Sequence, residues 1–293
     1  MSDSMGMERN ADMPELPEVE TMRRGIASVV GLQVADVQRP ACRLRPIGVR
    51  PAWPTLRRRL LGRRIEQIDR IGKRVVLVFD SADRLVLEPR MTGLVLLAEP
   101  PTQEHLRLRI VFEPRRKTGP GELLFWDRRG LGSLRLFAAD EFQQHFADGR
   151  LGPDALAISR DDLRVRLAAS TRPIKVALLD QKAVAGIGNL YASEILHLAA
   201  IHPQRPCRAL AAKDWTRLHA AVLSILETAI RYEGSTLSDG TYRNALNQAG
   251  EYQQHHAVYD RAGQSCRACG ADIMRIVQAQ RSTFFCPACQ KRR

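Results

Sequence analysis

"CRACGADIMRIVQAQRSTFFCPAC", Cys266–Cys289, holds four of the chain's six cysteines in the pattern C-x2-C-x16-C-x2-C. A disulfide framework would need an oxidising compartment. The first twelve residues, MSDSMGMERNAD, lack the apolar stretch of a secretory signal. Paired thiols at this spacing match a structural zinc site instead. Thiolates are soft, four complete a tetrahedral shell, and a closed shell leaves no position for catalysis. Cys266, Cys269, Cys286 and Cys289 are therefore predicted to hold one structural Zn2+. Between the pairs, QAQRSTFF reads as a β-hairpin whose turn presents Gln280 and Arg281. Such a tip either pushes Arg281 into a nucleic-acid groove or leaves it as one of 45 Lys and Arg residues in water. Cys42 and Cys207 stand alone and read as small packing residues.

Working back from this module, residues 234–257 are polar and read as a long loop. Residues 151–233 carry apolar side chains at three-to-four spacing, as in NLYASEILHLAA and AKDWTRLHAAVLSILETAIRYEG, and read as helices. Residues 32–140 change character: RVVLVFD, LRLRIVFEP and GSLRLF are short β-type runs punctuated by Gly, Pro and Asp, which predicts an antiparallel sandwich or barrel. The arginines alternating along LRLRIVF read as solvated edge charges. A helix is predicted from Pro17 with Met22, Ile26, Val29 and Val30 on its apolar face, ended by Gly31; Glu18 and Glu20 suit its first turn. Residues 1–13 read as a disordered extension. The fold class is α+β and multidomain: residues 14–145 an N-terminal helix and β-sandwich, 150–250 a helical part with its loop, 255–293 a zinc finger.

Charge narrows the partner. The formal net charge is +13, with 45 Lys and Arg against 32 Asp and Glu. That balance suits a polyanion, most often nucleic acid, or belongs to a merely basic surface. No run of about 18 apolar residues exists, so no membrane helix is expected and a bacterial cytoplasmic location is the default. GIGN, Gly186–Asn189, opens a helix. Its glycines suit either backbone docking to a phosphate or a plain loop and cap. Lys73 precedes a strand, Met91 sits at a strand-to-turn tip, and DRRGLG places Arg129 and Leu131 on a turn.

Together, PELPEVETMRRG, MTG, GIGNLYASE and the cysteine module resemble formamidopyrimidine-DNA glycosylases, bacterial 8-oxoguanine repair enzymes, from Pro14 to Lys291. The resemblance implies a sandwich, a helix–two-turn–helix part and a zinc finger acting on damaged double-stranded DNA as a monomer. It implies a base flipped from the duplex and attacked by an N-terminal proline. Pro14 then matches the nucleophile, Glu15 the acid for the sugar ring oxygen, and Lys73 the lysine of β-elimination. Arg281 matches the arginine assigned to δ-elimination, which by its chemistry is a phosphate clamp. Met91, Arg129 and Leu131 match residues filling the void left by the base. Lys175 and Asn189 match phosphate contacts. Gln103 and His105 stand where the family often has a His-x-His pair, and residues 236–252 where it has a lesion-capping loop.

One bond separates two readings. Inside a peptide, Pro14 is a tertiary amide whose lone pair is delocalised, so it cannot form an iminium. A start at Met13, followed by removal of that Met, frees a secondary amine and gives a working glycosylase/lyase. Retained residues 1–12 and Met13 give a protein that binds DNA damage without chemistry.

Overall fold

The computed structural model describes residues 14–114, 119–147 and 149–292. The predicted disordered extension, residues 1–13, lies outside the described residues.

Helix α1 (Leu16–Gly25) carries Pro17 in its first turn, with Glu18 there and Arg23 and Arg24 in its last. These charges oppose the helix dipole. The helix stops at Gly25 rather than Gly31, and a single 3-10 turn, Ala27–Val29, follows. Close packing requires a glycine at this end: a Cβ on Gly25 would lie 2.6 Å from Ala245 Cβ. Met22, Ile26 and Val29 are buried as expected, but the tighter turn leaves Val30 exposed.

Nine strands follow: β1 (Val34–Gln38), β2 (Gly48–Arg50), β3 (Ile65–Ile71), β4 (Arg74–Phe79), β5 (Arg84–Glu88), β6 (Gly93–Leu96), β7 (Leu106–Phe112), β8 (Glu122–Asp127) and β9 (Ser133–Phe137). They form two sheets, ordered β1-β7-β8-β6 and β2-β9-β5-β4-β3. All pairs are antiparallel except β2 and β9, which run parallel. Apolar residues from both sheets share one core with Val19 and Met22 of α1 and with Ile26 just after it. β7 lies between β1 and β8, so Arg107 is buried rather than a solvated edge charge. Two helices in this half escape the sequence reading: α2 (Trp53–Leu60) and α3 (Ala139–Ala147). In α2, Leu56 and Leu60 are buried at helical spacing, but three arginines between them hide the pattern.

The helical part comprises α4 (Arg160–Leu167), α5 (Ile174–Leu178), α6 (Asn189–Leu198) and α7 (Ala212–Arg231). Turns through Leu179–Gly188 join α5 to α6. The second core holds these helices, Leu16 of α1, and Cys266, Ile273 and Phe284 of the cysteine module. α1 therefore reaches into both cores, and the cleft lies where they meet. The module is the predicted hairpin, β10 (Met274–Gln278) and β11 (Arg281–Phe285), closed by the pair Gln278–Arg281. Ala279 and Gln280 both have left-handed φ, 46° and 62°, the conformation of a tight two-residue hairpin turn. No helix among the described residues is long and apolar enough to cross a membrane.

Candidate active site

A cleft of about 340 Å³ is lined by Pro14, Glu15, Lys73, Met91, Asn189 and Arg281, together with Arg74, Glu88, Arg90 and Gln181. Residues from the segment leading into α1, the turn before β4, the β5–β6 turn, the α6 start and the hairpin tip thus converge on one space.

Glu15 forms the wall. Its carboxylate accepts hydrogen bonds from the backbone N–H of Gly188 at 2.6 Å and of Leu190 at 2.9 Å. The anion at the start of α6 is therefore the chain's own carboxylate. This corrects the phosphate-docking reading of GIGN: the Gly188 amide is already taken. A Cβ on Gly188 would lie 2.2 Å from Glu15 Cδ, and one on Gly186 2.4 Å from Leu16 Cδ1. The glycines admit α1, not a ligand. Burial raises the Glu15 pKa to about 7, against the lowering pull of Lys73 and the two amides. Burial likewise depresses Lys73, against the raising pull of Glu15 and Glu18.

Glu18 stands behind this pair. It is buried, accepts from the backbone N–H of Glu15 at 2.9 Å and from that of Ser235 at 2.9 Å, and receives the Tyr191 hydroxyl. Burial raises its pKa too. The sequence reading took Glu18 only as a dipole-compensating acid. The available signal was the density of three acids, Glu15, Glu18 and Glu20, in so short a stretch; only Glu20 pairs with arginines, Arg23, Arg24 and Arg70.

Lys73 is held by its neighbours. Arg70 bonds Gly72 O at 2.9 Å and grips Asp154 with both Nη atoms, tying the β3–β4 turn to the entry of the helical part. Asn189 is aimed by Lys175, whose Nζ donates to Asn189 Oδ1, Ser282 O and Thr283 Oγ1, each at 2.8 Å. Lys175 is 1% exposed and lies outside the cleft lining, so the structure corrects its expected phosphate contact. It is a strut joining α5, α6 and β11, and the phosphate-facing candidate is the Asn189 amide that it orients.

The remaining predicted residues lie apart from the cleft lining. Arg129 is exposed and Leu131 half-buried on the β8–β9 turn. That turn is tied to the Met91 turn: the Arg129 N–H donates to Thr92 Oγ1 at 3.0 Å, and Thr92 Oγ1 to Asp127 Oδ1 at 2.5 Å. Gln103 is exposed, but His105 is turned inward, its ring edge-on to Trp126 and its Nε2 3.0 Å from Glu104 Oε1. His105 therefore does not present itself as an exposed contact residue, because its ring fills space beside Trp126. In residues 236–252 the base is fixed by burial of Tyr242 and Ala245 in the sandwich core, while residues 238–240 are exposed.

The four cysteine sulfurs lie within 4.8 Å of one another, with Cys269–Cys286 at 3.4 Å and Cys266–Cys289 at 4.0 Å. Thiolates about 2.3 Å from a tetrahedral zinc stand about 3.8 Å apart, so the set fits one structural Zn2+. These separations are far too long for disulfides.

A two-sheet sandwich, a helix–two-turn–helix part and a four-cysteine finger around one cleft define an α+β protein with a zinc-finger module. The family models for the formamidopyrimidine-DNA glycosylase N-terminal domain, the formamidopyrimidine-DNA glycosylase H2TH domain and the zinc finger found in FPG and IleRS match residues 13–134, 151–241 and 263–292. The formamidopyrimidine-DNA glycosylase of Chloroflexus aurantiacus is 40% identical, the alignment covering 95% of this chain and 98% of that one. A Lactococcus lactis Fpg solved with abasic-site DNA superimposes with a TM-score of 0.83 at 32% identity, over 95% of this chain and 100% of that one. The wild-type Lactococcus lactis Fpg solved with N7-benzyl-Fapy-dG DNA gives a TM-score of 0.83 at 34% identity, with the same coverage. The chain belongs to the formamidopyrimidine-DNA glycosylase family.

Proposed function

We propose that this chain excises oxidised purines, 8-oxoguanine and formamidopyrimidines, from duplex DNA and then cuts the strand at the abasic site. It is a bifunctional DNA glycosylase and AP lyase. The observation that carries this reading is the convergence of Pro14, Glu15, Lys73 and Arg281 on one cleft from remote parts of the chain.

With Pro14 as the first residue, its secondary amine attacks C1′ of the flipped nucleotide. The amine's electron pair forms the N–C1′ bond, the damaged base departs with the electron pair of its own bond to C1′, and the proton given up by the amine neutralises the departing base. Ring opening passes a proton to the sugar oxygen and leaves an iminium. Glu15 is suited to supply that proton, because burial holds its pKa at about 7 and keeps a carboxylic acid present near neutrality. Lys73, depressed by burial, serves proton transfer in β-elimination. Arg281 stays charged and holds a phosphate through δ-elimination, in which the second flanking phosphodiester bond breaks. Asn189 contacts the backbone, and Met91, Arg129 and Leu131 fill the void opposite the orphaned base. Gln103 is a further surface contact, and residues 236–252 close over the lesion. Residues 14–145, 150–250 and 255–293 work as three domains of a monomer in the bacterial cytoplasm, with the zinc holding the finger's shape.

Borohydride reduction tests the reading. The Met13-started protein, its methionine removed, is expected to be trapped covalently on 8-oxoguanine duplex. Intact DNA binding with no trapped species overturns it. With Met13 still joined to Pro14, binding without trapping is expected.

A further inference from the structure

Cys42 and Arg107 form a cluster that the cleft does not use. Arg107 lies on β7 and is 4% exposed. Its Nε donates to Asp127 O at 2.9 Å, at the root of the turn that carries Arg129 and Leu131. Its Nη1 lies 2.7 Å from Cys42 Sγ, and its Nη2 is buried with no hydrogen-bond partner. An unmade hydrogen bond on a buried cation is costly, so an oxygen acceptor placed beside Nη2 would be stabilised. Cys42 is partly exposed, and its S–H donates to Glu104 O at 3.1 Å. A sulfur-bound oxygen would supply the acceptor that Nη2 lacks.

We propose that Cys42 is a site of reversible oxidation by hydroperoxides, its added oxygen held by Arg107. The sulfur's electron pair forms an S–O bond, the peroxide O–O bond breaks, and the departing hydroxide takes the thiol proton. Cys42 becomes a sulfenic acid, oxidised by two electrons, while hydrogen peroxide is reduced to water. Two equivalents of a small thiol reverse the change, yielding its disulfide and water. The neighbouring turn feels the modification. Gly130 sits so close to Arg45 O that a Cβ there would lie 2.3 Å from it, so the segment around Cys42 and the β8–β9 turn pack without slack. An oxygen added on Sγ moves Arg107, whose Nε holds Asp127 O, and with it the turn that carries Arg129 and Leu131. This coupling rests on the DNA reading above; the oxidation does not.

The test treats the full chain with dilute hydrogen peroxide and dimedone, then maps the adducts by mass spectrometry. Cys42 is expected to label at least about tenfold faster in the folded protein than in urea, because the Arg107 contact exists only when folded. Arg107→Met is expected to slow the labelling several-fold, and if that variant does not fold, the urea comparison still decides. Absence of label at Cys42, or equal rates folded and unfolded, overturns the site. In a second arm, peroxide-treated protein is expected to bind abasic-site duplex several-fold more weakly, recovering with dithiothreitol, whereas Cys42→Ser protein is unaffected. Unchanged affinity of labelled protein overturns the coupling to the turn. The labelling arm uses no DNA, so its failure is distinct from failure of the DNA reading.

Discussion

The cleft wall and the cysteine hairpin handle charge in opposite ways. Glu15, Glu18 and Lys73 meet at the wall, where burial shifts all three away from their ordinary titration. At the hairpin tip Arg281 stands exposed, while the packing residues Thr283, Phe284 and Phe285 lie further along its strand. The wall is suited to move protons because burial weakens the charged form of each of its groups. The tip is suited to hold an anion because its charge never changes. On the proposed function, chemistry and grip are thus divided between a desolvated region and a solvated one, joined through α6.

Adding one methyl group at the wall is the strongest attack on that division. Gly188→Ala forces a Cβ into Glu15 and is expected to lower single-turnover excision by about 10³-fold, since displaced catalytic groups lose rate steeply. Binding to an abasic duplex should persist; a variant that loses both equally would erase the distinction. Chelation attacks the other side. Removing zinc should unfold the hairpin and weaken DNA binding by about 10²-fold, with release of about one metal per chain. The sandwich should keep its thermal transition, and a metal-free protein with unchanged affinity would refute the finger's role.

Glu15→Gln sharpens the comparison through pH. An acid whose folded pKa is raised contributes stability that is whole below its ordinary value near 4.5 and lost as pH rises through about 7. The loss amounts to about 3 kcal/mol. Denaturant titrations should show wild type weakening from pH 4.5 to 7 relative to the variant, whose curve should be flatter there. Parallel curves would place the burial effect elsewhere. Activity of the wild type should fall above about pH 7 as the acid ionises. The smallest effect belongs to Arg281→Ala at the tip, which should reduce the salt dependence of binding by about one ion and leave the pH profile alone. A shifted profile would give Arg281 a part in proton transfer.

The sequence disclosed these two regions unequally. Cysteine spacing is local, so the hairpin, its turn and its ligands could be read directly. The sandwich showed in alternating runs, and the long helices in their spacing. What stayed hidden was burial of charge. Arg107 looks like any surface arginine on an alternating strand, and Lys175 like any helix lysine. Their burial depends on partners at Cys42, Asp127, Asn189 and Thr283, all distant in the chain. The GIGN glycines could be read as making room, but only the fold reveals that α1 takes it. Helix α2 was missed because its arginines outnumber the leucines that fix it.

Helix α6 acts as a ruler. Its first turn receives Glu15, Glu194 in its middle gathers the backbone N–H groups of Ala257, Val258 and Tyr259, and His197 near its end lies 3.6 Å from Cys266 Sγ. An α-helix rises about 1.5 Å per residue and turns about 100° with each, so its length sets both spacing and bearing. One residue inserted between Leu190 and Glu194 would swing the finger around the cleft while leaving each module individually intact. The distance from Glu15 to the finger is written in the count of residues along a single helix.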